Sequence, residues 1–146
     1  MDLASLMTES SPALYDLGLL VLRVFIGVCF VIHALGKLGM VGTGNMAGFT
    51  AWLQELGVPF APLQARMAML SEMTGGVLLT VGFLTRPAAI LLVFTMIVAA
   101  RLGHKGAGYL ITNDPPGAEY TINLAVVCAA IALFGPGIYS LDALVF

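Results

Sequence analysis

Glu72 has the most chemistry to explain. It sits inside an apolar stretch that runs from Leu63 to Leu84, about ten residues or roughly 15 Å from the nearer end of a helix. A carboxylate at such a depth in a bilayer costs at least ~2.5–3.5 kcal/mol on insertion scales. Glu is too short to snorkel far, so the group must be protonated or paired with a base inside a bundle. It then belongs either to a polar pocket that binds a ligand or moves a proton, or to a structural ion pair or interhelical hydrogen bond.

His33 and Lys37 lie four apart on one helix face. The imidazole could donate to or accept from a carbonyl, and the ammonium could hold an anion or pair with Glu72 or Glu119. The plainer readings are a satisfied interface histidine and a lysine that snorkels from a helix end. Glu119 and Asn123 form a second four-residue pair, although the dipole alone favours an acid at a helix start. Arg101 could turn inward, while His104 and Lys105 could equally be loop charges. Glu72 and His33 are therefore expected to be catalytic, and Lys37, Arg101, His104, Glu119 and Asn123 ligand-binding. Arg23, Arg86 and Asp142 are read as structural braces. His33 and His104 lack HxxxH or ExxH spacing, so no metal site is assigned. Cys29 and Cys128 sit in apolar stretches without a CxxC, which argues against a dithiol relay and for small buried hydrophobes. Met67, Met69 and Met73 read as flexible fillers of apolar space.

The elements that hold these groups follow from composition. The 146 residues are 60% hydrophobic and 10% charged, with a mean hydropathy of +1.00, against roughly 45–50% apolar and about 25% charged in soluble domains. Six basic and eight acidic side chains cannot cover a small soluble surface. A soluble enzyme and a disordered chain are therefore disfavoured, and a net charge of −2 without a basic run argues against nucleic acid. The partner that composition implies is the lipid bilayer.

Four apolar segments predict an all-α, integral-membrane four-helix bundle, with helices over about 17–38, 63–84, 87–104 and 118–134 and an N-terminal tail over 1–16. The transmembrane domain covers 17–142. No alternation suggests a barrel. Breakers stand where helices should end: Gly57, Pro59 and Pro62 before the second, Thr85-Arg86-Pro87 as a tight turn, Pro115-Pro116-Gly117 before the fourth, and Gly135-Pro136-Gly137 after it. Between the first two spans Met46, Phe49, Leu53 and Leu56 recur at helical spacing with Trp52 adjacent. That predicts a short interfacial helix or one packed on the bundle. The first 16 residues hold no Lys or Arg, so the first apolar run reads as a retained helix rather than a signal peptide. Four spans put both termini on one face, and most ionisable groups on the other, the face of the 39–61 and 103–118 loops.

These residues together resemble the DoxX family of bacterial membrane proteins. Leu17-Gly18-Leu19-Leu20 with Arg23, then His33-Ala34-Leu35-Gly36-Lys37-Leu38, is similar to the family's opening. Gly48-Phe49 through Leu56-Gly57-Val58-Pro59 resembles its first loop. Glu72-Met73-Thr74-Gly75-Gly76 with Gly82-Phe83-Leu84-Thr85-Arg86 resembles its second helix and turn. Gly117-Ala118-Glu119-Tyr120 and Gly135-Pro136-Gly137-Ile138-Tyr139-Ser140-Leu141-Asp142 resemble its last helix and end. The ordered set spans about 17–142. It implies a four-helix protein of the bacterial inner membrane, with polar family positions at Arg23, His33, Lys37, Glu72, Arg86, His104 and Glu119. The wider family includes the membrane subunit of thiosulfate:quinone oxidoreductase, members linked to oxidative-stress complexes with superoxide dismutase and a sulfurtransferase-like partner, and others linked to quinone or catechol detoxification.

Three functions compete. A quinone-linked redox subunit would use Glu72 as proton donor and Lys37 or Arg101 to stabilise a developing anion; no electron carrier is encoded, so electrons would come from a partner or from a bound anionic sulfur substrate such as thiosulfate. A non-catalytic scaffold would instead recruit soluble oxidative-stress enzymes through Trp52, Glu55 and the 103–117 segment. A small-solute transporter would need a homo-oligomer to widen its pore, and no broken-helix pair is evident. Lys37, Arg66, Arg101 and Lys105 against Arg23 and Arg86 place the loops in the cytoplasm by the positive-inside rule. Cysteines introduced at Gly44 and Asn113 should therefore label from the cytoplasmic side; labelling from the opposite side reverses the orientation.

Overall fold

The computed structural model describes residues 11–146. The part of the expected tail over 1–10 lies outside the described residues. Within them the chain is all helical, with six helices and no strand: α1 (Pro12–Lys37), α2 (Met46–Glu55), α3 (Ala61–Val81), α4 (Thr85–Gly103), α5 (Glu119–Phe134) and α6 (Leu141–Val145). Two of them, α1 and α4, are long and apolar enough to cross a membrane, while α5 is apolar but has 16 residues. α3 is 21 residues long and carries Arg66 and Glu72.

Local chemistry sets the helix starts. α1 begins at Pro12 rather than Leu17 because the Ser11 hydroxyl accepts the Leu14 N–H and proline at the first turn loses no bond. Asn45 caps α2 by accepting the Gly48 N–H at 2.8 Å. Leu53 of α2 is buried with Val58, Ala61 and Ala65, and Met46 and Phe49 pack against them. The stripe read from the sequence thus docks α2 on the start of α3.

The closest helix contact joins α1 to α3. A Cβ on Gly27 would stand 2.3 Å from Thr80 Oγ1 and 2.7 Å from the Gly76 carbonyl, and one on Gly76 would stand 2.7 Å from the Gly27 carbonyl. Only hydrogen at both positions lets the two backbones meet, the small-residue contact that replaces bulky packing between apolar helices. α4 then packs on α3, where Leu92 occupies the space in front of Gly75, and on α5. Phe30, Leu79, Leu92, Cys128 and Ile131 form the shared core.

Polar groups clamp the end that carries the C-terminus. Arg23, 1% exposed, donates to the carbonyls of Leu79 (3.2 Å), Thr80 (3.0 Å) and Tyr139 (2.5 Å). Leu84 holds a left-handed φ of 48°, which costs a non-glycine residue roughly 1–2 kcal/mol. The Asp142 carboxylate supports that turn by accepting the N–H of Leu84 at 2.7 Å and of Thr85 at 2.9 Å, at the positive end of α4. Arg86 donates to the Ala132 carbonyl at 3.2 Å. Arg23, Arg86 and Asp142 therefore meet backbone groups here rather than one another; among the described residues the one ion pair is Lys37–Glu72.

Partial burial acts to raise the Asp142 carboxyl. The two N–H donors and the Arg23 charge outweigh it and hold the group below its ordinary value. A carboxyl lowered by folding stabilises the fold above the unfolded-chain pKa, and that contribution fades as pH falls through the folded one. Thermal unfolding in detergent should show Asp142→Asn less stable than wild type above about pH 5, with the gap closing below about pH 4. A gap independent of pH would remove the carboxylate charge as its cause.

Candidate functional site

α3 and α4 leave the tight turn at 82–84 in close contact and are still linked by the Thr95 hydroxyl donating to Ser71 Oγ at 3.0 Å. Beyond that bond they enclose a cavity of about 430 Å³ together with α1, α2 and α5. Its polar wall is built by α1 and α3. Lys37 Nζ lies 2.5 Å from Glu72 Oε2, and Glu72 is 5% exposed. The pairing follows from helix geometry. The glycine contact sets residue 72 level with residue 33, and Lys37 one turn, about 5 Å, beyond. Helical side chains lean towards their own N-terminus. In antiparallel helices the two therefore lean towards each other. The ammonium also lies 5.1 Å from the centre of the Phe49 ring, a cation–π contact from α2.

A second polar pair borders the cavity. His33 Nε2 is 2.7 Å from the Tyr120 hydroxyl, which is also 3.2 Å from Cys29 Sγ. His104 lines the loop end and its Nδ1–H donates to the Pro116 carbonyl at 2.8 Å. Trp52 and Phe49 stack at 5.9 Å, and Trp52 lies so close over Gly103 that a Cβ there would fall 2.8 Å from the indole.

Four of the sequence candidates, Glu72, His33, Lys37 and His104, thus line one cavity. Arg101, Glu119 and Asn123 do not. Arg101 is exposed at the end of α4. The Glu119 carboxylate accepts the Ile111 N–H at 3.0 Å, and Asn123 Oδ1 accepts from the Tyr109 hydroxyl at 3.2 Å. On α5 the cavity face is Tyr120, Thr121 and Leu124; each residue turns about 100° from the last, so 119 and 123 face the 108–118 loop and pin it. Tyr120 was not a sequence candidate. The available signal was two adjacent hydroxyl residues, Tyr120 and Thr121, where an apolar helix begins. Among the described residues no three His, Cys, Asp or Glu side chains gather to hold a metal ion. The cavity offers a carboxylate, an ammonium, an imidazole and a phenol around an apolar space. That set suits an uncharged ring with hydrogen-bonding oxygens.

The pattern described as DoxX matches residues 18–105. The chain belongs to the DoxX family. It is 30% identical over 129 residues to the inner membrane protein YphA of Escherichia coli K12, covering 85% of this chain and 87% of that protein. It is 31% identical over 131 residues to the inner membrane protein YqjF of the same strain, covering 90% and 94%. It is also 31% identical over 133 residues to a Bacillus subtilis 168 protein named "Putative oxidoreductase CatD", covering 90% of each. No solved structure matches. The DoxX chain is accordingly a helical protein of the bacterial inner membrane.

Removing one member of a buried ion pair strands the other charge, whereas removing both does not. Lys37→Met should destabilise the DoxX chain by roughly 3 kcal/mol, and Lys37→Met with Glu72→Leu should recover most of that loss. Unfolding by denaturing detergent measures it; additive losses would mean that the pair is not coupled.

Proposed function

We propose that this DoxX protein is the membrane subunit of a quinone-linked redox reaction, with α1, α3, α4 and α5 crossing the bilayer as a four-helix bundle. Phe25 of α1, Leu70 of α3, Phe94 of α4 and Leu133 of α5 are all exposed. An apolar belt on all four long helices is what lipid requires and what water penalises. The 16 residues of α5 span about 24 Å, short of the roughly 30 Å hydrocarbon core, so its flanks enter the interface. α2 lies across the loop end.

The observation that carries the redox reading is the Lys37–Glu72 pair in the wall of the cavity. Reducing a quinone to a quinol adds two electrons to the ring and one proton to each oxygen. Lys37 with Glu72 can hold a proton for one oxygen, and His33 with Tyr120 for the other. The ammonium also stabilises negative charge that develops before the proton arrives. The electrons come from a reduced donor, either a soluble partner or a small anionic sulfur compound such as thiosulfate. The name of the Bacillus relative points to the same reaction class.

Trp52 is the only tryptophan and lines the cavity, so quinone binding should quench its fluorescence. A short-tailed benzoquinone should quench the purified wild-type protein saturably, and Glu72→Gln should weaken that binding about tenfold, or ~1.4 kcal/mol, with its fold intact by thermal unfolding. No saturable quenching of the wild type would sink the quinone reading and return the chain to the scaffold one.

A further inference from the structure

We infer that the quinone enters the cavity sideways from the bilayer, through a seam between α3 and α4 bordered by Met67, Phe94 and Val98, and that its isoprenoid tail stays in that seam. This rests on the quinone reading above and adds the route and the substrate class, a tailed quinone dissolved in lipid. Three large apolar residues of the lining are more than half exposed, Met67 at 56%, Phe94 at 63% and Val98 at 51%, against 41% for Trp52 and 38% for Tyr120 on other walls. Phe94 and Val98 are four apart on one stripe of α4, facing Met67 across the gap.

The loop end is crossed by Trp52, seated on Gly103, and by Phe49 stacked on it. The seam itself asks for an apolar guest. Its two hydroxyls are already satisfied: the Thr95 proton is shared between Ser71 Oγ and the Leu91 carbonyl, and Ser71 donates to the Ala68 carbonyl at 2.8 Å. The Ser71–Thr95 bond also fixes depth, because it sets Glu72 nearly level with Phe94. A ring seated against Lys37 and Glu72 therefore points its substituent outward at the same height. An isoprenoid chain leaves there without passing an unpaired polar group, so it stays in apolar surroundings from the cavity to the lipid.

The test compares two benzoquinones that differ only in a decyl tail, by stopped-flow quenching of Trp52 in lipid nanodiscs. Val98→Phe narrows the seam and should lower the ratio of tailed to tail-less association rates at least tenfold. Phe94→Ala widens it and should raise that ratio. Glu72→Gln should weaken both quinones alike. If the wild type binds both and the ratio is unmoved in either seam variant, the lateral route falls and the quinone reading stands. Equal loss of both quinones in Val98→Phe also overturns the route. If the wild type binds neither, the quinone reading fails and this inference with it.

Discussion

The contact between Gly27 and Gly76 governs the arrangement of this molecule. Two helix backbones meet there with no side chain between them, so the register of α1 against α3 has almost no slack. On one side of the crossing the register delivers Arg23 to the carbonyls of Leu79 and Thr80. On the other it sets Glu72 level with His33 and within reach of Lys37. A one-residue slip would rotate one helix by about 100° and strand three charged groups in an apolar interior, at a cost of several kcal/mol. The glycines set the geometry and the charges enforce it.

The cavity is the counterpart of that tight crossing. α4 is tied to α3 at the 82–84 turn and again at the Ser71–Thr95 bond, and the cavity lies against both helices. α2 fills part of the wedge with Phe49 and Trp52 and leaves the rest empty. The charged groups come from the helices held in fixed register, Tyr120 is added from α5, and α4 supplies mostly apolar side chains. A chemically specific wall thus faces an adaptable one, the division that orients a ring with two distinct ends.

Much of this was legible in the chain itself, for definable reasons. Glu72 stood out because a carboxylate in an apolar run demands a partner, and Lys37 and His33 followed from four-residue spacing. The short helix at 46–55 showed in its stripe. Tyr120 was hidden, because a tyrosine in an apolar segment is ordinary and its partner His33 is remote in sequence. Glu119 and Asn123 were drawn into the site by their spacing, but spacing shows that two residues share a face without showing which neighbour that face meets. Apolar character begins at Leu17 and so marks α1 late, whereas the helix is started by Ser11 and Pro12. Arg23, Arg86 and Asp142 bond backbone groups at the far end, and backbone partners carry no signature in a sequence.

The Arg23 clamp also bears on biogenesis. Its guanidinium lies in α1, yet one of its acceptors, the Tyr139 carbonyl, follows 116 residues later, and the others lie in α3. A nascent α1 therefore carries a cation whose acceptors have not yet been made. The clamp closes only once residue 139 has been made, and assembly cannot proceed strictly in the order of translation.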